Sequence, residues 1–269
     1  ATKLADLKPL CETAIQRLVE HDMWYSIASW AKHHKAVLPE LVHHGIWFEE
    51  GRHLFIDGDV QPVNYGLGRA APKGDQQPIA LLTGANSGGK TTLLELVAHV
   101  TILAHMGLPV PATHAFVGRI EALHVLAKSS GTQSAGALET TLVDLANVVS
   151  NDQPKLILAD ELEAITEPGA GARIIAGMLR AAQQQSDSSM VLVTHLAPAI
   201  LDAYGSGDLR IDGIEANGLD EHLELIVDRT PKRNCLARST PELIVRRLVE
   251  RSSGDAKNVF SDILSLFTS

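Results

Sequence analysis

The chain has 269 residues, 45% hydrophobic and 20% charged, with 23 Lys and Arg against 32 Asp and Glu for a formal charge of −9. That length holds one large domain or two modest ones around a buried core, and so acidic a balance argues against a stand-alone nucleic-acid module, whose affinity rests on cations neutralising phosphates. Two cysteines without a CxxC pair, Cys11 and Cys235, exclude a disulfide scaffold, and no apolar run approaches the roughly 18 residues of a membrane helix.

Residues 1–45 read as helical: Leu7, Leu10, Ala14, Ile15, Leu18 and Val19 recur at helical spacing, a second run covers 23–35, and Pro39 closes the region. Over 46–78 glycines interrupt short apolar stretches, which predicts short strands and turns. The run Ile79-Ala80-Leu81-Leu82 predicts a strand that meets a Gly-rich turn. A helix follows with Leu93, Leu96, Val97, Val100 and Leu103 on one face, ending near Gly107. Strands at 120–126, 156–159, 190–194 and 223–227 are expected around helices at 138–149 and 171–185. From Pro231 to Ser269 the pattern returns to helix, with Pro241 in a first turn. Strand-helix alternation of this kind argues for an open α/β sheet.

Gly84-Ala85-Asn86-Ser87-Gly88-Gly89-Lys90-Thr91 satisfies GxxxxGK[ST] in full, between a predicted strand and a predicted helix. Glycines let backbone N–H groups close around phosphate oxygens, and the new helix adds its N-terminal dipole. In that arrangement Lys90 reaches the β- and γ-phosphates of ATP and Thr91 ligates Mg²⁺. A second apolar strand ends in Asp160-Glu161: the first acid suits the Mg²⁺ shell, the second the polarising of an attacking water. His195 ends a third apolar run, and ligands of open α/β sheets sit at the carboxyl ends of strands, so His195 is placed to approach a γ-phosphate or its water.

In this order the elements resemble the ATPase domain of the MutS family of DNA repair proteins, within the ABC-type P-loop group. The segment 83–92 (TGANSGGKTT) is similar to that family's TGPNxGGKS loop. Gly51-Arg52-His53 with Gln61-Pro62-Val63-Asn64 resembles its RHP…VPND segment, and Gly107-Leu108-Pro109-Val110-Pro111-Ala112 its GxxVPA. The segment 160–168 (DELEAITEP) falls where the family has DELGxGTxP, and Thr194-His195 matches its TH. The similarity covers about residues 20–250. It implies a P-loop ATPase fold, a mixed sheet flanked by helices, over 46–230. A helical segment at 1–45 would precede it as the end of a lever, and a helical, dimerisation-type segment at 231–269 would follow.

The resemblance further implies a homodimer burying two ATP molecules with Mg²⁺. Each site would join the loop from Gly84 to Thr92, Asp160, Glu161 and His195 to Ser134 and Gly136 of the other subunit, with adenine against Val60 and Gln61. DNA would be gripped mainly by domains outside this chain, since the mismatch-reading and connector regions are absent from it. Ala85 and Ser87 replace the family's Pro and Met, and Glu163-Ala164-Ile165 replaces its Gly-rich turn, which points to a divergent, archaeal or recombination-linked branch. The function expected is a cytoplasmic, Mg²⁺-dependent ATPase coupled to DNA clamping. The alternatives are a nucleotide-gated interaction module with negligible turnover and an ABC-type ATPase of a non-repair complex. The cations Arg229, Lys232, Arg233, Arg238, Arg246, Arg247 and Arg251 read as a solvated helix face, with a phosphate or partner-subunit role as the alternative. Adjacent histidines such as His33-His34 cannot both face one ion from a regular helix, and no structural metal is expected.

Overall fold

The computed structural model describes residues 2–58, 60–68, 77–85, 88–127, 135–162, 166–185, 187–205, 207–237 and 241–268. The chain opens with α1 (Thr2–His34), a single 33-residue helix where two shorter runs were expected, with Pro9 inside it. Lys35, in the left-handed region at φ 51, ends it. At 1.5 Å per residue α1 is about 50 Å long, and Leu10, Leu18 and Trp24 on it are exposed. The helical reading does not extend to residue 45. Val37 exchanges two backbone hydrogen bonds with Val110, and β1 (Glu40–Val42) follows as a strand. Tertiary pairing outweighs local propensity there.

Two sheets enclose the P-loop helix. The smaller combines β1, β2 (Ile46–Gly51) and β3 (Val63–Leu67), with a strand from later in the chain, β5 (His114–Gly118), in the order β1-β5-β2-β3. Between β3 and β5 run β4 (Ile79–Gly84) and α2 (Lys90–His105). The larger sheet is then built from β4, β6 (Ala122–Leu126), β7 (Lys155–Asp160), β8 (Ser188–Val193) and β9 (Arg210–Ile214), closed by the antiparallel edge strand β12 (Lys232–Arg233). Its order is β12-β9-β4-β8-β7-β6. The helices α3 (Ala135–Ser150), α4 (Pro168–Gln183) and α5 (Ala197–Tyr204) lie along it, and β10 (Ala216–Leu219) with β11 (Leu225–Val227) forms a separate hairpin. The chain then runs into α6 (Pro241–Arg251) and α7 (Asp255–Thr268). The segment after Pro231 is therefore strand before it is helix, a correction to the expected return to helix from Pro231: Lys232 and Arg233 pair with Gly213 and Asp212.

The strand pattern explains the layering. Successive side chains of β4 alternate, so Ala80 and Leu82 join a core with Val97 and Val100 of α2 and with Phe48 and Leu67 of the smaller sheet. Ile79 and Leu81 point the other way, into a core with Ile175 and Leu179 of α4 and Ile200 of α5. A parallel sheet covered on both faces needs near-continuous apolar strands, which is the texture of β4, β7 and β8. One buried arginine ties the sheets together. Arg210 grips both oxygens of Asp212, at 2.9 and 2.8 Å, and donates to the Gly66 carbonyl of β3 at 2.8 Å.

Candidate functional site

The site forms where β4, β8 and β7 end side by side. In that order Leu82 is in register with Val193, and Val193 with Asp160, so the residues following each strand emerge together. Two backbone bonds continue the register past the strand ends: Thr194 N–H donates to the Leu82 carbonyl at 3.1 Å and Glu161 N–H to the Val193 carbonyl at 3.1 Å.

The loop after β4 is shaped by its glycines. Gly84 has φ +135, and a Cβ there would sit 2.2 Å from the Ile214 carbonyl oxygen of β9, so a side chain would push the P-loop strand off its neighbour. Gly89, at φ +90, is the left-handed residue from which α2 starts. Ala85 and Lys90 are buried, and the Lys90 Nζ donates to the Gly84 and Ala85 carbonyls at 2.8 and 2.7 Å. The lysine is thus already drawn over the turn that its loop encloses. Asn86 and Ser87 lie outside the described residues, as do Ser134 and residues 163–165.

Next to the lysine, Thr91 Oγ1 donates to Asp160 Oδ2 at 2.8 Å, joining the start of α2 to the end of β7. Beyond Asp160, Glu161 sits at φ +48, a left-handed conformation that costs a non-glycine residue on the order of 1 kcal/mol. Its Oε1 lies 2.6 Å from His195 Nε2, and a carboxylate acceptor places the ring proton on that nitrogen. Both side chains are about one-third exposed, open enough to meet a ligand. The arrangement thus sets a cation over a glycine turn, two hard oxygens beside it, and a carboxylate paired with an imidazole within one set of strand ends.

Cavities flank the loop on both sides. One, of about 360 Å³, lies between Gly84, Thr194 and His195 and the C-terminal segment, including Ala237 and Phe267. The other, of about 130 Å³, lies between Gly89 and Thr92 on one side and Val60 and Gln61 on the other. The structure therefore brings Gly84, Ala85, Gly88, Gly89, Lys90, Thr91, Thr92, Asp160, Glu161 and His195 into one region, with Val60 and Gln61 across a cavity from it. Gly136 lies in the first turn of α3.

Sequence reasoning missed the roles of Thr83 and His53 around the site and put Arg229 on the wrong element. Thr83, 3% exposed, donates to the Asp212 carbonyl at 3.2 Å and accepts the Ala237 N–H at 3.1 Å, stapling the P-loop strand to the C-terminal segment. His53 accepts the Phe55 N–H on Nδ1 at 3.2 Å and donates from Nε2 to Glu95 at 2.9 Å, which holds the 52–58 loop against α2. Arg229 is not on a helix face at all: it follows β11 in a loop and lines the smaller cavity. In the sequence it stands two residues beyond the end of a predicted strand and opens the basic run that reads as a solvated helix face.

Comparison with known proteins bears on what this site is. The family model of MutS domain V matches residues 80–214, from β4 to the end of β9. This chain belongs to the MutS domain V family. As a MutS-family ATPase domain it is 46% identical over 234 residues to the DNA-binding protein MutS2 of Pyrococcus furiosus, a match covering 86% of this chain and 41% of that protein. It is 30% identical over 211 residues to the endonuclease MutS2 of Geobacillus thermodenitrificans, covering 76% of this chain and 26% of that protein. A similar enzyme of Clostridium beijerinckii matches at 27% identity over 223 residues. The chain spans less than half the length of these curated relatives. Among the described residues no helix is long and apolar enough to cross a membrane.

Proposed function

We propose that this chain is the ATP-hydrolysing engine of a MutS2-like protein, working as a homodimer whose ATP cycle switches a DNA clamp formed by parts of the protein outside this chain. One observation carries the reading: the Thr91–Asp160 and Glu161–His195 pairs stand beside Lys90 at the ends of three neighbouring parallel strands. The backbone N–H groups at the start of α2 and Lys90 bind the phosphates, the lysine trading its bonds to Gly84 and Ala85 for phosphate oxygens. Thr91 and Asp160 offer a hydroxyl and a carboxylate 2.8 Å apart, a hard-oxygen set that fits Mg²⁺. Those two residues would hold the ion, which when bound offsets charge on the phosphates. Glu161 accepts the proton of the attacking water, and His195 orients that carboxylate from 2.6 Å away.

Ser134 and Gly136 act across the dimer on the second subunit's ATP, so that hydrolysis releases the interface. The net charge of −9 supports leaving most DNA contact to other regions, and DNA binding by this chain alone is expected to be weak and salt-sensitive. In the test, Lys90→Ala abolishes ATP binding, whereas Glu161→Gln binds ATP and loses roughly 10²- to 10⁴-fold in kcat. Wild-type turnover by Glu161→Gln overturns the general-base assignment. A second reading, ATP-gated dimerisation with negligible turnover, is favoured by Glu163-Ala164-Ile165 standing in the sequence where the family has its Gly-rich segment after the catalytic acid. Phosphate release measured beside sizing runs with and without ATP separates the two.

A further inference from the structure

The smaller cavity beside the P-loop, about 130 Å³, has an apolar floor that includes Ile56, Leu93 and Leu96, but apart from the His53 imidazole no aromatic side chain among the described residues lines it. Besides the Gln61 carboxamide, which is engaged with the Arg229 loop, a flat group on its wall is the guanidinium of Arg229. That group lies directly over the end of the phosphate loop: a Cβ placed on Gly89 would sit 3.3 Å from Arg229 Nη1. The loop carrying it is fixed in place. Arg229 N–H donates to Gln61 Oε1 at 3.4 Å, Gln61 Nε2 donates to Asp228 Oδ1 at 3.4 Å, and Asp228 Oδ1 also accepts the Thr230 N–H at 3.1 Å. Gln61 thereby joins the cavity wall ahead of β3 to the loop after β11. Among the described residues Arg229 has no carboxylate partner, and its side chain is exposed, so its charge is available to a ligand.

We propose that Arg229 is the residue that holds the purine base of the bound nucleotide, its guanidinium stacked on the ring while Val60 and Ile56 supply apolar contact. This rests on the nucleotide-binding reading above. The chemistry fits each part. A planar, weakly hydrated guanidinium stacks on a π-face where a lysine ammonium cannot. An apolar floor removes the base from water. The position next to Gly89 and Thr92 lies within one nucleotide's reach of the phosphate loop. The sequence reading placed adenine against Val60 and Gln61; the guanidinium now assigned to the base lies 168 positions beyond Gln61 in the chain.

The test compares Arg229→Ala and Arg229→Lys with the wild type, measuring equilibrium binding of ADP and of inorganic tripolyphosphate, which has no base. Arg229→Ala is expected to weaken ADP about three- to thirtyfold while leaving tripolyphosphate unchanged. Arg229→Lys is expected to recover little of the loss, because it restores the charge and not the plane. Equal weakening of ADP and tripolyphosphate would make Arg229 a phosphate contact and overturn the assignment, as would unchanged ADP affinity in Arg229→Ala. Should wild-type protein bind neither ligand, the nucleotide-binding reading itself fails; wild-type binding that Lys90→Ala removes and Arg229→Ala spares refutes the base clamp alone.

Discussion

Replacing Arg210 with methionine keeps most of the aliphatic volume and removes the guanidinium from the most deeply buried ion pair among the described residues. Arg210 and Asp212 side chains are 3% and 1% exposed. The substitution strands a carboxylate beside the P-loop strand and takes a donor from the Gly66 carbonyl, so breaking the pair should cost about 3–5 kcal/mol. Against a typical domain stability of about 5–15 kcal/mol, that is a large share. Asp212→Leu should cost about as much, since it leaves a buried cation. The double variant Arg210→Met, Asp212→Leu removes both charges and should lose only about 1–2 kcal/mol, chiefly for the Gly66 carbonyl. Urea unfolding followed by far-ultraviolet circular dichroism, with the three variants and the wild type in one thermodynamic cycle, yields the coupling. A cost below about 1 kcal/mol for Arg210→Met, or additivity of the two single changes, would refute the argument that the two buried charges depend on each other.

Thr83→Val deletes the hydroxyl that links β4 to both Asp212 and Ala237. It should cost about 1–3 kcal/mol in unfolding and raise amide exchange at Ala237, with no such rise in the core of α4. His99, whose Nδ1 is buried with no hydrogen-bond partner among the described residues, is held below the ordinary histidine value of 6.5, first by burial and then by the neighbouring His53, against the pull of Glu95. The folded state therefore binds its proton less readily than the unfolded chain does. Its contribution is unaffected above pH 6.5 and turns destabilising as pH falls from there through the folded value. His99→Gln should flatten that limb of a stability-against-pH curve; an unchanged slope would remove His99 as its source.

The site is unevenly legible in the sequence. The phosphate loop could be read outright because its chemistry is contiguous: the turn, the lysine and the threonine lie within eight positions, and the flanking apolar runs announce the strand and the helix. Asp160, Glu161 and His195 could be found as the ends of apolar strands, since burial on both sheet faces leaves a continuous hydrophobic run and a polar exit. The outer elements were harder. The β5 strand and α5 are short, and β1 and β12 are held by pairing with distant strands rather than by a pattern of their own, so 40–42 and 232–233 read as helix until their partners were known.

By itself the sequence determined the nucleotide chemistry and the family, because both reside in local strings whose residue types are dictated by what they bind. Only the tertiary structure decided which strand ends become neighbours. The order β4-β8-β7 sets Glu161 2.6 Å from His195, 34 residues away, and a turn from beyond β11 carries Arg229 to the rim of the phosphate loop. Hydrophobic periodicity specifies that a strand is buried but not beside which other strand it lies. Sites assembled across the sheet therefore emerge only with the fold.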